Sequence, residues 1–285
     1  MQRKIMVTVA AVATGLLLAA CGRANLTTTK TTYHQDGLVA AVKGHSSAKE
    51  VTYQVDHHSK KTVTVRNGTF VIQVPSTTHR QAVKLQADGL KTTTHVAAAK
   101  SLGSYQSIQK KFNQSLVGAT MSKADQRKAQ AVAKAAVAIK QQPTPALAET
   151  LSQQGPAVKK AMGEAQQKVH GQLLPTKTPG NGVQNVVTTK GYKIRMNIQD
   201  GNVLGATMIV STKSFKQAAG QRAFGTSFVI LANSTGADGQ SVLKQFGDET
   251  KKLKKGANTI DPIHSHGVNF TVGLSTGDFF IFMDK

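Results

Sequence analysis

Tryptophan is absent from this 285-residue sequence, tyrosine occurs four times, and there is one cysteine. Acidic residues are also few, 14 against 36 lysines and arginines, for a formal charge of +22. Each shortage excludes something. One thiol cannot form a disulfide within the chain, so the fold must rely on its apolar core. So few large aromatics leave little to stack on nucleobases, which argues for no nucleic-acid partner in spite of the charge. The one adjacent pair of carboxylates, Asp248 and Glu249, would diverge by ~100° on a helix and make a poor acid–base couple. No P-loop, dinucleotide fingerprint or HExxH helix is present, so no cofactor and no catalytic residue are assigned. The longest uncharged apolar stretch, residues 5–20, falls short of the ~20 residues a spanning helix needs.

That stretch follows Arg3 and Lys4 and ends in small residues, the pattern of an export signal. At its end stand Leu18-Ala19-Ala20-Cys21-Gly22. A lone cysteine can be a core residue, a nucleophile, or half of an intermolecular disulfide, but its neighbours here offer neither a base nor a pocket. The segment resembles the lipobox of bacterial lipoproteins. The resemblance covers residues 1–22 and implies cleavage between Ala20 and Cys21, with a diacylglyceryl group on the Cys21 thiol. It places the mature chain on the extracytoplasmic face of the cell membrane, where two acyl chains give a stable anchor and one does not. Residues 21–32, polar and rich in threonine, read as a flexible tether beyond that anchor.

A positive excess runs through every later part of the chain. It suits an extended polyanion, and for an exported, anchored protein the near candidates are membrane lipid and anionic wall polymer. A basic surface without disulfides fits a Gram-positive wall. Lysine also simply solubilises a surface.

Residues 33–100 carry short Val/Thr-rich runs separated by turns. In "TVTVRNGTFVIQVP" the Asn67-Gly68 pair predicts a hairpin between two alternating strands, and Asp88-Gly89 predicts another. The pattern resembles the immunoglobulin-like modules that follow the anchor in many bacterial surface lipoproteins, which implies a small all-β immunoglobulin-like sandwich. Residues 101–175 read as a helical segment. Ser122 with Asp125 predicts an N-cap, Pro143 a stop, Pro145 a new start, and Gly155-Pro156 a break before a third helix with Val158, Met162, Val169 and Leu173 on one stripe. A hairpin or bundle with a basic outer face is expected, and an extended stalk is the competing arrangement.

After a Pro/Gly-rich crossing at 174–185, residues 183–285 read as an α+β domain with an antiparallel sheet and one main helix. Strands with a turn at Asp200-Gly201 come first. The run 226–232, apolar on both faces, is expected inside the sheet. The helix carries Val242, Leu243, Phe246 and Leu253 on one side. A terminal hairpin follows, with 279–283 buried on both faces.

Within this domain, Lys244, Lys251, Lys252, Lys254 and Lys255 form a candidate anion site, although cations also favour a helix C-terminus for purely structural reasons. His264 and His266 are weak metal candidates with Asp261 as a third ligand, and two polar residues entering a hairpin explain them as well. Gly273–Gly277 matches G-x-S-x-G, but a strand follows it and no histidine remains, so Ser275 reads as a turn residue. The expectation is a non-enzymatic surface lipoprotein. The alternative is a small-ligand-binding or enzymatic C-terminal domain displayed on a lipid-anchored stalk.

Overall fold

The computed structural model describes residues 24–253 and 260–285, with the side chains of 250–253 left aside. Eight strands come first: β1 (Leu26–Thr28), β2 (Thr32–Tyr33), β3 (Val39–Ser46), β4 (Glu50–Val55), β5 (Lys61–Thr64), β6 (Thr69–Pro75), β7 (Gln81–Ala87) and β8 (Leu90–Val96). They form two sheets, ordered β1-β3-β6 and β2-β8-β7-β4-β5. Alternate side chains explain why the sheets stack. Val42, Phe70, Ile72 and Val74 from one meet Val51, Val83, Leu85 and Val96 from the other in a single core. Leu26 is buried in that core, so the tether expected over 21–32 already gives way to a strand at β1.

The Asn67-Gly68 turn forms, with φ of 51° and 73°, but the hairpin expected around it does not. β5 pairs with β4, and β6 pairs with β3 in the other sheet. Arg66 and Thr69 meet only as an isolated bridge. Alternation fixes which side of a strand faces the core and leaves the neighbouring strand open, so this turn crosses between sheets. At Asp88-Gly89 the expected hairpin is present, with Ala87 opposite Leu90.

A short strand β9 (Gly103–Ser104) leads into helices α1 (Tyr105–Thr120), α2 (Lys123–Gln141) and α3 (Pro145–Val169). Ser122 caps α2 as expected, its Oγ accepting from the Asp125 amide at 3.1 Å and donating to Asp125 Oδ2 at 2.6 Å. The break expected at Gly155-Pro156 is absent, and α3 runs through Pro156 for 25 residues. Proline removes one backbone bond there, while packing against α2 and α1 holds the helix on either side. Met162 is 44% exposed, off the stripe that buries Val158 and Val169.

The chain then forms β10 (Gly182–Thr188), β11 (Tyr192–Gln199), β12 (Asn202–Ser211), α4 (Thr212–Phe215), α5 (Ala218–Ser234), α6 (Gly239–Leu253), β13 (Ile263–Ser265), β14 (Val268–Leu274) and β15 (Asp278–Asp284). The sheet is antiparallel, ordered β10-β11-β12-β15-β14-β13, with β9 beside β12. The turn at Asp200-Gly201 joins β11 to β12 as expected. Residues 226–232 are a correction: they belong to α5, so the domain has more than the one main helix expected. A short apolar run does not distinguish an inner strand from a buried helix, and the flanking Ala218, Ala219, Gln221, Arg222 and Ala223 favour the helix.

One core runs from Leu102 to Met283, so the segments 101–175 and 183–285 share it. Tyr105, Ile108 and Phe112 of α1 lie in it with Ile194, Met196 and Met208 of the sheet. Asn113 holds the crossing connection by both arms of its amide: Nδ2 donates to the Leu174 carbonyl at 2.9 Å, and Oδ1 accepts the Leu174 N–H at 2.8 Å.

The other face of this sheet receives the N-terminal module. Asn197, fully buried, donates to the carbonyls of Leu38 (3.2 Å) and Ser76 (2.9 Å). Gln35 Nε2 donates to the Leu204 carbonyl at 2.8 Å. Gly205 has to be glycine, because a Cβ there would stand 2.5 Å from the Gly37 carbonyl oxygen. Phe282 lies under Gly37 and stacks on Phe280 at 6.1 Å. Within 279–283, expected to be buried on both faces, only Ile281 and Met283 are fully buried. Phe280 and Phe282, on the opposite face, are only partly buried.

Candidate functional site

Six of the ten phenylalanines form one connected set in the C-terminal domain. Phe224, Phe228 and Phe246 reach it from α5 and α6, Phe270 and Phe279 from the sheet, and Phe215 from α4. Phe215 and Phe279 meet edge to face with centroids 5.0 Å apart, and Phe224 and Phe279 do so at 5.5 Å. The inner members, Phe228 and Phe270, are fully buried, whereas Phe215 is 38% exposed. The set therefore runs from core to surface.

At its outer end lies an apolar recess of about 310 Å³, between α5, α6 and the β14–β15 hairpin. Phe215, Phe224, Leu243, Phe246, Leu274 and Phe279 form most of its wall, and Thr212 stands at its edge. That volume is at the lower end of the range for small-molecule pockets, ~300–1,000 Å³. The mouth is held from two sides. Thr212 donates to the Gly277 carbonyl through both its amide and its hydroxyl, each at 2.9 Å. Ser214 Oγ donates to the Lys190 carbonyl at 3.3 Å. Gly220 lets the start of α5 come against the Ser214 backbone, where a Cβ would collide.

Four cations are close in sequence to residues that line the recess, although none of them lines it. Lys213 and Lys216 flank Phe215 in α4 and just after it, Arg222 precedes Phe224 by two residues, and Lys244 follows Leu243; all four are exposed. Among the described residues none of the four has an ion-pair partner. Acidic residues near them in the chain are Asp238, Asp248, Glu249, Asp261 and Asp278.

The structure places three of the five expected anion-site lysines on the helix that forms one wall of the recess. Lys244 lies in its middle, and the backbone of Lys251 and Lys252 lies in its last turn. Lys254 and Lys255 fall outside the described residues, as do Cys21 and the signal-peptide cleavage site before it. His264 and His266 are not brought together. His264 Nδ1 pairs with Asn269 Oδ1 at 2.8 Å, while His266, at a positive-φ turn position, points Nδ1 to the Gly236 carbonyl at 3.2 Å. Among the described residues no three His, Cys, Asp or Glu side chains gather as a metal site would require. Ser275 is a turn residue as expected, its Oγ donating to the Asp278 carbonyl at 3.0 Å.

The sequence pattern missed the recess. Phe224 and Phe228 are four apart, a helical spacing, but the strand reading of 226–232 hid it. Phe215 carries no periodic signal at all.

A second cleft, about 460 Å³ and of mixed polar and apolar lining, lies where the N-terminal module meets the β10–β11 side of the sheet. Asp56 and His79 in its lining stand 3.8 Å apart, and the Oε1 of the buried Gln81 has no hydrogen-bond partner among the described residues.

No protein-family model matches this chain, and no curated protein is similar to it in sequence.

Proposed function

We propose that the protein is a membrane-anchored, extracytoplasmic lipoprotein without enzymatic activity. In this reading acylated Cys21 holds an immunoglobulin-like module and a basic C-terminal domain against anionic envelope polymer or lipid. The strand orders β1-β3-β6 and β2-β8-β7-β4-β5, with β2 parallel to β8, support the immunoglobulin-like assignment. One observation carries the binding role. Among the lysines and arginines whose side chains are described, none is paired with a carboxylate, in a chain with 36 cations and 14 anions. Such a field is left for an external polyanion to neutralise. Among the described residues no helix is long and apolar enough to cross a membrane, and acylation is the proposed anchor.

Two measurements test it. A palmitate analogue should label the wild type and not Cys21→Ala; equal labelling overturns the anchor. The chain from Gly22 on retains both cores, and it should bind vesicles containing anionic lipid, or isolated wall polymer, with an affinity that falls steeply as salt rises. Salt-independent binding, or none, overturns the role of the basic surface. The apolar recess favours a second reading, in which the C-terminal domain is a receptor for a small apolar ligand.

A further inference from the structure

We infer that the outer face of the sheet β2-β8-β7-β4-β5 holds a segment of a linear phosphate polymer, bound across the strands by Lys60, Lys84 and Lys91. This inference rests on the proposed binding of anionic envelope polymer and names the site and the ligand class.

Strand register puts the three lysines on one face. Lys84 of β7 lies opposite Gln54 of β4 on one side and Thr93 of β8 on the other. Tyr53 pairs with Lys61, so Lys60 continues this row beside Gln54. Two residues along the strands, Thr52, Gln86 and Lys91 form the next row. Side chains alternate between the two faces of a strand, and the neighbouring Val51, Val83 and Leu85 point into the core. Both rows therefore look outward, and all three lysines are exposed. Together with Thr52, Gln54 and Gln86 they line one concavity of about 230 Å³.

Charge selects an anion for it. No carboxylate lines this concavity. The acidic residues nearest along these strands, Glu50, Asp56 and Asp88, stand outside it, and none pairs with a lysine. The other cavities lack this contrast: the cleft beside β10 sets Lys61 against Asp56 and Asp200, and no cation lines the apolar recess.

Size and spacing select a polymer. The concavity is smaller than the ~300 Å³ at which small-molecule pockets begin, so it suits part of a longer chain. Strands lie ~4.8 Å apart, which sets the backbones of Lys60 and Lys84 ~10 Å apart in their row. Lys84 and Lys91 are diagonal neighbours at ~7–8 Å. A chain that crosses the strands meets all three cations, and each contact after the first is intramolecular.

The side chains select phosphate. Lysine is a compact point charge suited to phosphate oxygens, and no arginine lines the concavity to fork a planar carboxylate. The two rows carry only Lys, Gln and Thr. They offer no aromatic ring for a nucleobase to stack on and no apolar side chain to enter a bilayer.

The test uses the chain from Gly22 on and titration calorimetry with a short linear inorganic polyphosphate. Orthophosphate, polyglutamate of equal charge and anionic vesicles serve as comparisons. Polyphosphate should bind at least ~100-fold more tightly than orthophosphate and several-fold more tightly than polyglutamate. Lys84→Glu with Lys91→Glu should weaken polyphosphate roughly tenfold or more at an unchanged thermal midpoint, and Lys60→Glu alone should weaken it as well. Lys159→Glu with Lys160→Glu, exposed on α3, makes the same change in net charge and should have a much smaller effect.

Equal losses from the two charge-reversing pairs overturn the inference, because a diffuse field would then do the binding. Orthophosphate or polyglutamate that binds as tightly as polyphosphate overturns it too. So does vesicle binding that depends on Lys84 and Lys91 as strongly as polymer binding does, which would assign the face to lipid. Each of these results leaves the proposed role of the basic surface standing. Salt-independent binding, or none, to polyphosphate, wall polymer and vesicles alike overturns both.

Discussion

The backbone amide of Gly37 donates to Asp284 Oδ2 at 2.8 Å, joining the N-terminal module to a central strand of the sheet 247 residues later. Asp284 also accepts from Asn269 Nδ2 at 3.1 Å. Burial raises its pKa above the ordinary 3.8, and nearby Asp36 adds to this. The hydrogen bonds from Asn269 and Gly37, and the neighbouring His264, act the other way without cancelling it. A raised carboxylate weighs against the folded state once the unfolded chain has ionised. Stability from this group therefore falls as pH climbs from 3.8 to the raised value, and stays at the lower level beyond. Asp284→Asn removes that dependence. Relative to wild type, the variant should gain stability in urea titrations between pH ~3.5 and ~7; a difference that does not change with pH contradicts the assignment.

Tyr105 gives the opposite end of the pH scale. Its hydroxyl donates to the Pro175 carbonyl at 2.8 Å, and burial pushes its pKa up to about 12. Above pH 10 the unfolded chain ionises this phenol while the folded one keeps its proton, so stability declines between 10 and about 12. Tyr105→Phe should be less stable by about 1–2 kcal/mol at neutral pH, through the unpartnered Pro175 carbonyl. It should also lose less on going from pH 10 to 12. Urea unfolding at both pH values, with absorbance titration of the phenols, checks it.

Pro156 lies within α3 and leaves the Ser152 carbonyl without its helical donor. Pro156→Ala restores the bond and removes the interior proline, and should raise stability by about 1–3 kcal/mol. A loss on this substitution would mean that the proline shapes the helix for its contact with α1. Thermal unfolding with the helical signal at 222 nm separates the two.

Phe228 and Phe215 belong to one aromatic set but not to one environment. Phe228→Ala opens a cavity in the core and should cost about 3–5 kcal/mol. Phe215→Ala, at the mouth, should cost under ~1.5 kcal/mol. Guanidinium titrations of the two variants should differ accordingly, and equal losses would place Phe215 in the core.

What the sequence revealed follows from what kind of signal each element carries. The cap at Ser122 and Asp125 is local, and so are the turns at Asp88-Gly89 and Asp200-Gly201; all were legible. Asn67-Gly68 was legible as a turn and not as a crossing, because pairing partners are chosen by packing far along the chain. Residues 226–232 misled because a helix buried on a sheet and a strand buried in it are equally apolar. The recess depends on Phe215, Phe224 and Phe279 meeting from three elements, and no spacing encodes that. The clasp of Asn197 on Leu38 and Ser76 was equally hidden, since a lone asparagine in a strand looks like any solvent-facing residue.

The place of β15 in its sheet has a consequence for how the molecule is made. It sits between β12 and β14, yet it follows every other strand of the sheet in the chain. During synthesis β10, β11 and β12 can pair early, but β12 waits with an open edge until Asp278–Asp284 arrives. The C-terminal domain thus stays incomplete until its final strand is made, while the N-terminal sheets already have all their strands.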